Sequence, residues 1–123
     1  MLFRSGKALA SKILNENMET SVIEVGIPKD RGFHSRPSLL VAKIVQHYGG
    51  EVKMLVNSDV FDAASVLDIQ WAGGKIKKEE IETVLFKGDV RALKDLKILS
   101  SVNYGEDHMG KGIPLPKELS YLS

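Results

Sequence analysis

The sequence predicts an α+β two-layer sandwich, one sheet with helices on one face. Three observations point there. Apolar and polar residues alternate through residues 21–27 and again through 51–57, the period of half-buried strands. Longer segments between and after them place apolar residues at helical spacing. A polar turn, Asn57-Ser58-Asp59, joins two short strands directly and makes them a hairpin. The expected order is β-α-β-β-α-β-α.

Each element has its own justification. Ser21–Ile27 sets Ile23, Val25 and Ile27 on one face and Glu24 opposite. Pro28–Gly32 is a loop. The first helix spans Ser35 to Tyr48, with Leu40, Val41, Ile44, Val45 and Tyr48 as one stripe, and Gly49-Gly50 ends it. Val52, Met54 and Val56 point inward from the second strand, and Val60-Phe61-Asp62 returns as the third. A short second helix covers Ser65 to Trp71, stopped by Gly73-Gly74, and Lys75–Glu80 is a charged connection. Ile81–Lys87 is the fourth strand, although Val84, Leu85 and Phe86 are consecutive. Asp89 is a good N-cap for a third helix reaching about Val102, with Val90, Leu93, Leu96 and Leu99 inside. Residues 103–123, with three glycines and two prolines, read as an irregular tail. Residues 1–20 read as an extension with a short helix through Lys7–Asn15, either loosely docked or a partner contact. The domain proper is thus 21–102.

Composition narrows the function. The 123 residues suit one domain. Seventeen basic and sixteen acidic residues nearly cancel, which argues against a nucleic-acid binder. The absence of cysteine excludes disulfides and thiolate metal sites. No apolar run approaches the ~18 residues of a membrane span, so no membrane insertion is expected. Arg4, Lys7 and Lys12 without an acid have the charge of a targeting peptide. Polar residues interrupt the apolar core such a peptide needs, so the cytoplasm is the expected compartment.

The stretch that carries chemistry is Gly32-Phe33-His34-Ser35-Arg36-Pro37. It puts a histidine where a helix begins. There the first N–H groups lack intrahelical partners and the peptide dipoles favour an anion. Arg36 adds a planar cationic fork suited to phosphate. Pro37 has no N–H to waste in the first turn, and Gly32 permits a sharp turn before the histidine. The set reads as a nucleophilic imidazole beside a phosphate cradle.

Gly32, His34, Arg36 and Pro37 also resemble the signature Gly-Leu-His-Ala/Thr-Arg-Pro-Ala of the HPr family, the histidine phosphocarriers of the phosphoenolpyruvate-dependent sugar phosphotransferase system. The resemblance spans roughly residues 21–102. Ser65 stands at the distance from His34 of the family's second-helix serine. Asn57 matches its hairpin asparagine, Gly73 the glycine after its second helix, and Gly88-Asp89 the start of its last helix. The resemblance implies an antiparallel sheet of order 1-4-2-3 with three helices on one face. It implies that His34 is phosphorylated on Nδ1 by enzyme I, and that the group passes to a sugar-specific or regulatory component. The chain is then a stoichiometric carrier rather than an enzyme, with no cofactor and no metal. Ala64 replaces the lysine usual before the serine, Asp68 and Gln70 interrupt the usual apolar docking patch, and both ends are about 20 residues longer. These departures bear on partners more than on His34.

Other candidates have plainer readings beside functional ones. Ser35 and Arg36 N–H groups would hold phosphate, although the Ser35 hydroxyl reads first as a helix-start filler. Arg31 is either a solvated loop charge or a phosphate-steering one. Ser65 opens Ser-Val-Leu-Asp, a capping-box pattern that accounts for a serine. The family's matching serine is phosphorylated by HPr kinase/phosphorylase in Gram-positive bacteria, where Asp68 would here repel the phosphate. In the second helix, either Leu67 and Trp71 pack inward, or Val66 and Ile69 join Phe33 as an exposed docking patch. His47 and His108 read as solvated. A regulatory protein of the same fold outside sugar transport is the alternative function. An enzyme using His34 as general base ranks lowest, since no carboxylate is evident to orient the imidazole.

Overall fold

The computed structural model describes residues 19–28, 32–107 and 111–122. The expected helix through Lys7–Asn15, Arg31 and His108 lie outside them. The elements are β1 (Thr20–Gly26), α1 (Ser35–His47), β2 (Val52–Val56), β3 (Asp59–Asp62), α2 (Val66–Glu79), β4 (Thr83–Asp89) and α3 (Val90–Ser101). The four strands form one antiparallel sheet of order β1-β4-β2-β3. One row across the sheet runs Ile23, Phe86, Met54, Phe61. This face is covered by the helices.

The alternation explains the two layers. Val25, Val52, Met54, Val56, Val84 and Phe86 are buried beneath Val41, Ile44 and Val45 of α1, Ile69 and Ala72 of α2, and Leu93, Leu96 and Leu99 of α3. Glu24, Lys53 and Lys87, their neighbours along the strands, are exposed on the other face. Asp89 caps α3 by accepting from the Arg91 N–H at 2.9 Å. The Arg91 guanidinium, which donates to it as well, holds the Asp89 carboxyl below the ordinary carboxylate range against the opposing effect of burial.

Two elements differ from expectation. α2 does not stop at Gly73-Gly74. It continues to Glu79 and closes on Glu80 in the left-handed conformation. Its inner stripe is Ile69, Ala72 and Ile76, so the helix is held by burial straight through the glycine pair. Gly73 is a contact residue: a Cβ there would lie 3.2 Å from the Phe33 carbonyl oxygen and 3.3 Å from Phe33 Cβ. The extended helix also sets the Leu67 and Trp71 orientation. Both lie on its outer face, 63% and 67% exposed, and neither packs inward.

The second difference is the segment after α3, which is no loose tail. It forms 3-10 turns at Asn103–Gly105 and Lys117–Leu122 and returns across α1 and α3. Tyr104, Leu119 and Leu122 enter the main core. Tyr121 donates to the buried Asp95, which also accepts from Tyr48, and His47 stacks on the Tyr121 ring at 4.2 Å. Burial, and then the bond to Asp95, push the Tyr121 phenol well above its usual range.

The position of Trp71 is directly measurable. As the only tryptophan it is expected to emit like a solvated indole and to be quenched freely by acrylamide. A blue-shifted, shielded emission would contradict the outward face.

Candidate functional site

His34 is the N-cap residue of α1, and no side chain caps that helix end. Its carbonyl accepts the first helical bond from Ser38 N–H at 3.1 Å. The buried Ser38 hydroxyl donates to the Phe33 carbonyl at 3.1 Å and fixes the loop that delivers the histidine. Gly32, at φ +67°, makes the turn before it. The His34 side chain keeps 28% of its surface exposed and borders a cleft shared with Gly32, Gly73, Gly74 and Lys77. Ser35 and Arg36 are exposed beside it on the first turn.

Both ring nitrogens have neighbours. Nδ1 lies 3.1 Å from the Gly32 carbonyl oxygen. Nε2 lies 2.9 Å from Oε2 of Glu106, a residue of the returning C-terminal segment. The same oxygen accepts from Arg36 Nη1 at 3.2 Å. Glu106 is only 3% exposed. The expectation that no carboxylate stands beside the imidazole is therefore corrected. The acid comes from 72 residues downstream, in a stretch that has no periodic pattern to reveal it.

Glu106 is placed by its own surroundings. Its N–H donates to the Asn103 carbonyl, and its carbonyl accepts from the Asn103 side chain, both at 3.2 Å. It bridges to Gly112, and a Cβ on Gly112 would meet the Arg36 guanidinium at 3.2 Å. The preceding Tyr104 is fully buried, hydrogen-bonds to the Gly26 carbonyl, and meets the Phe33 ring edge-on with centroids 5.1 Å apart. Burial pushes its phenol well above the usual range.

This packing overturns two docking assignments. Phe33, 4% exposed, lies under Tyr104 and against Gly73, and Ile69 is fully buried in the inner stripe of α2. Neither belongs to a surface patch. Val66 is half-buried at the start of α2. The exposed apolar residues of α2 are Leu67 and Trp71 instead.

Ser65, half-buried, is the N-cap of α2 and accepts from Asp68 N–H at 3.2 Å. The Asp68 carboxylate does not reach back to Ser65, as a full capping box requires. It accepts from Asp62 N–H at 3.0 Å and ties the helix start to β3. Among the described residues no group of three or more His, Asp or Glu side chains is arranged to hold a metal ion, and no helix is long and apolar enough to cross a membrane.

The sheet order and the helix placement define an HPr-like α+β sandwich. Among solved structures, the crystal structure of HPr-C-His from Thermoanaerobacter tengcongensis is similar to this chain, with a TM-score of 0.56 and 20% identity. The match covers 73% of this chain and 99% of that one. No family model and no curated protein matches the sequence.

Proposed function

We propose that this chain is a phosphoryl carrier, with His34 as acceptor. The observation that carries this reading is an accessible imidazole at an uncapped helix start, with a guanidinium on the same turn. Phosphoryl transfer asks a protein mainly for alignment and charge compensation. The α1 terminus and Arg36 are of the kind that supplies both. The likeness in fold to an HPr-like protein supports the reading, as does the Gly-Phe-His-Ser-Arg-Pro stretch. In this reading enzyme I, charged from phosphoenolpyruvate, is the donor, and a sugar-specific or regulatory phosphotransferase component is the acceptor. The protein turns over no small molecule by itself. Leu67 and Trp71, one turn apart on α2, offer apolar surface on the helix that carries the docking patch in the family this chain resembles.

Incubation with phosphoenolpyruvate and enzyme I tests this by intact mass. The expected product carries one phosphoryl group, labile in acid and stable in base, and His34→Ala carries none. Wild-type protein that stays unlabelled beside a labelled reference HPr overturns it.

One observation favours the regulatory alternative. Glu106 already engages Arg36 from within the chain, so the guanidinium has an internal anion. A partner retained irrespective of phosphorylation, with no transfer onward to any permease component, would select that function.

A further inference from the structure

The two neighbours of the His34 ring are both acceptors: a neutral carbonyl at Nδ1 and a carboxylate at Nε2. A neutral imidazole carries a single N–H hydrogen and can serve only one of them. A hydrogen bond to an ionised acceptor is roughly twice as strong as one to a neutral acceptor. The carboxylate therefore wins the hydrogen. Nδ1 is left with its lone pair, beside a Gly32 oxygen that already accepts from the His34 backbone N–H at 3.0 Å.

We propose that Glu106 is the positioning residue of His34: it holds the hydrogen on Nε2 and so presents Nδ1 as the nucleophilic nitrogen. The proposal rests on the carrier reading for its chemical consequence, but not for the tautomer. In the transfer step the Nδ1 lone pair forms the new N–P bond. The donor's bond to phosphorus breaks, and its electron pair stays with the donor. The Nε2 hydrogen remains in place, and the carboxylate at 2.9 Å offsets the positive charge that the ring gains.

The local structure is built to hold this acid still. Asn103, Tyr104 and Gly105 all have positive φ, at 53°, 57° and 82°. The left-handed conformation is unfavourable for a non-glycine residue, and the burial of Tyr104 offsets it. Strain of this kind persists where the surroundings over-determine it, often at functional sites. Here it immediately precedes the carboxylate that meets the ring.

Ring ¹⁵N NMR on the unphosphorylated protein, at a pH where His34 is neutral, tests the assignment. Wild type is expected to show Nε2–H with an unprotonated Nδ1. The isosteric Glu106→Gln and the shorter Glu106→Ala should both raise the Nδ1–H fraction. They should also slow phosphoryl acceptance by about 10–100-fold, the size of effect seen when the hydrogen-bond partner of a metal-bound imidazole is removed. Glu106→Asp, which keeps the charge, should recover part of both effects. Thermal unfolding checks that each variant is folded. A wild-type ring protonated on Nδ1, or ring shifts indifferent to Glu106, overturns the proposal. Ring shifts that follow Glu106 in a protein that takes up no phosphate would support the positioning role and count against the carrier reading.

Discussion

Tyr104→Ala is expected to destabilise the fold by about 3–5 kcal/mol, the range for removing a large buried aromatic side chain. Tyr104 is the largest fully buried side chain among the described residues, and it joins the C-terminal segment to the first strand and to the loop before His34. Its ring covers Phe33, and its hydroxyl satisfies the Gly26 carbonyl at the end of β1. Alanine would leave a cavity at that junction and remove the hydrogen bond to the Gly26 carbonyl. The backbone would also lose the burial that offsets two strained residues. Because Glu106 lies two residues on, the loss should reach the site. The His34 ring shifts of Tyr104→Ala should move toward those of Glu106→Ala. Urea unfolding and ring NMR check the two effects separately. A cost below about 1 kcal/mol would mean that the segment is only loosely docked.

Gly88→Ala is expected to be the most damaging glycine-to-alanine change among the described residues. Gly88 lies within β4 at φ +154°, where the strand presses against the start of β2. An added Cβ would stand 2.1 Å from the Glu51 carbonyl oxygen and 2.7 Å from Val52 Cα. These are backbone atoms at the start of β2 and have no rotamer to change. The Glu51 carbonyl is also pinned as the acceptor of Asp89 N–H at 3.1 Å. To admit the methyl, β4 must part from β2 in the middle of the sheet. We expect a loss above about 4 kcal/mol, or no folded protein. Gly74→Ala is the control. Its Cβ would meet nothing within 4 Å inside α2, and it should leave stability unchanged or raise it by up to about 1 kcal/mol. Equal behaviour of the two variants would refute the close approach.

The strands and the long helices were legible because each obeys a short period. Val52-Met54-Val56 reads at every second residue, and the Leu40–Tyr48 stripe at every third or fourth, so burial on one face follows from spacing alone. Asp89 as the cap of the last helix was legible for a similar reason, since its carboxylate reaches an N–H two residues away. The end of α2 was misread because a glycine pair signals a stop when judged locally. Ile69, Ala72 and Ile76 carry the missed signal, one buried stripe that bridges the glycines. Ile69 is misplaced as a surface residue for the same reason, since a helix ended at Gly73 loses Ile76 from its stripe, and Phe33 because nothing in its neighbourhood announces that Tyr104 covers it.

The sequence by itself determined the order of the elements and the stretch from Gly32 to Pro37, because these depend on contacts between residues a few positions apart. Only the tertiary structure decided what stands beside the imidazole. Glu106 reaches it across 72 residues, on a segment rich in turns and held by the buried Tyr104, Leu119 and Leu122. Periodicity reports which face of an element turns inward. It does not report which distant, irregular segment folds back to meet that element, since such a contact depends on shape and burial rather than on spacing.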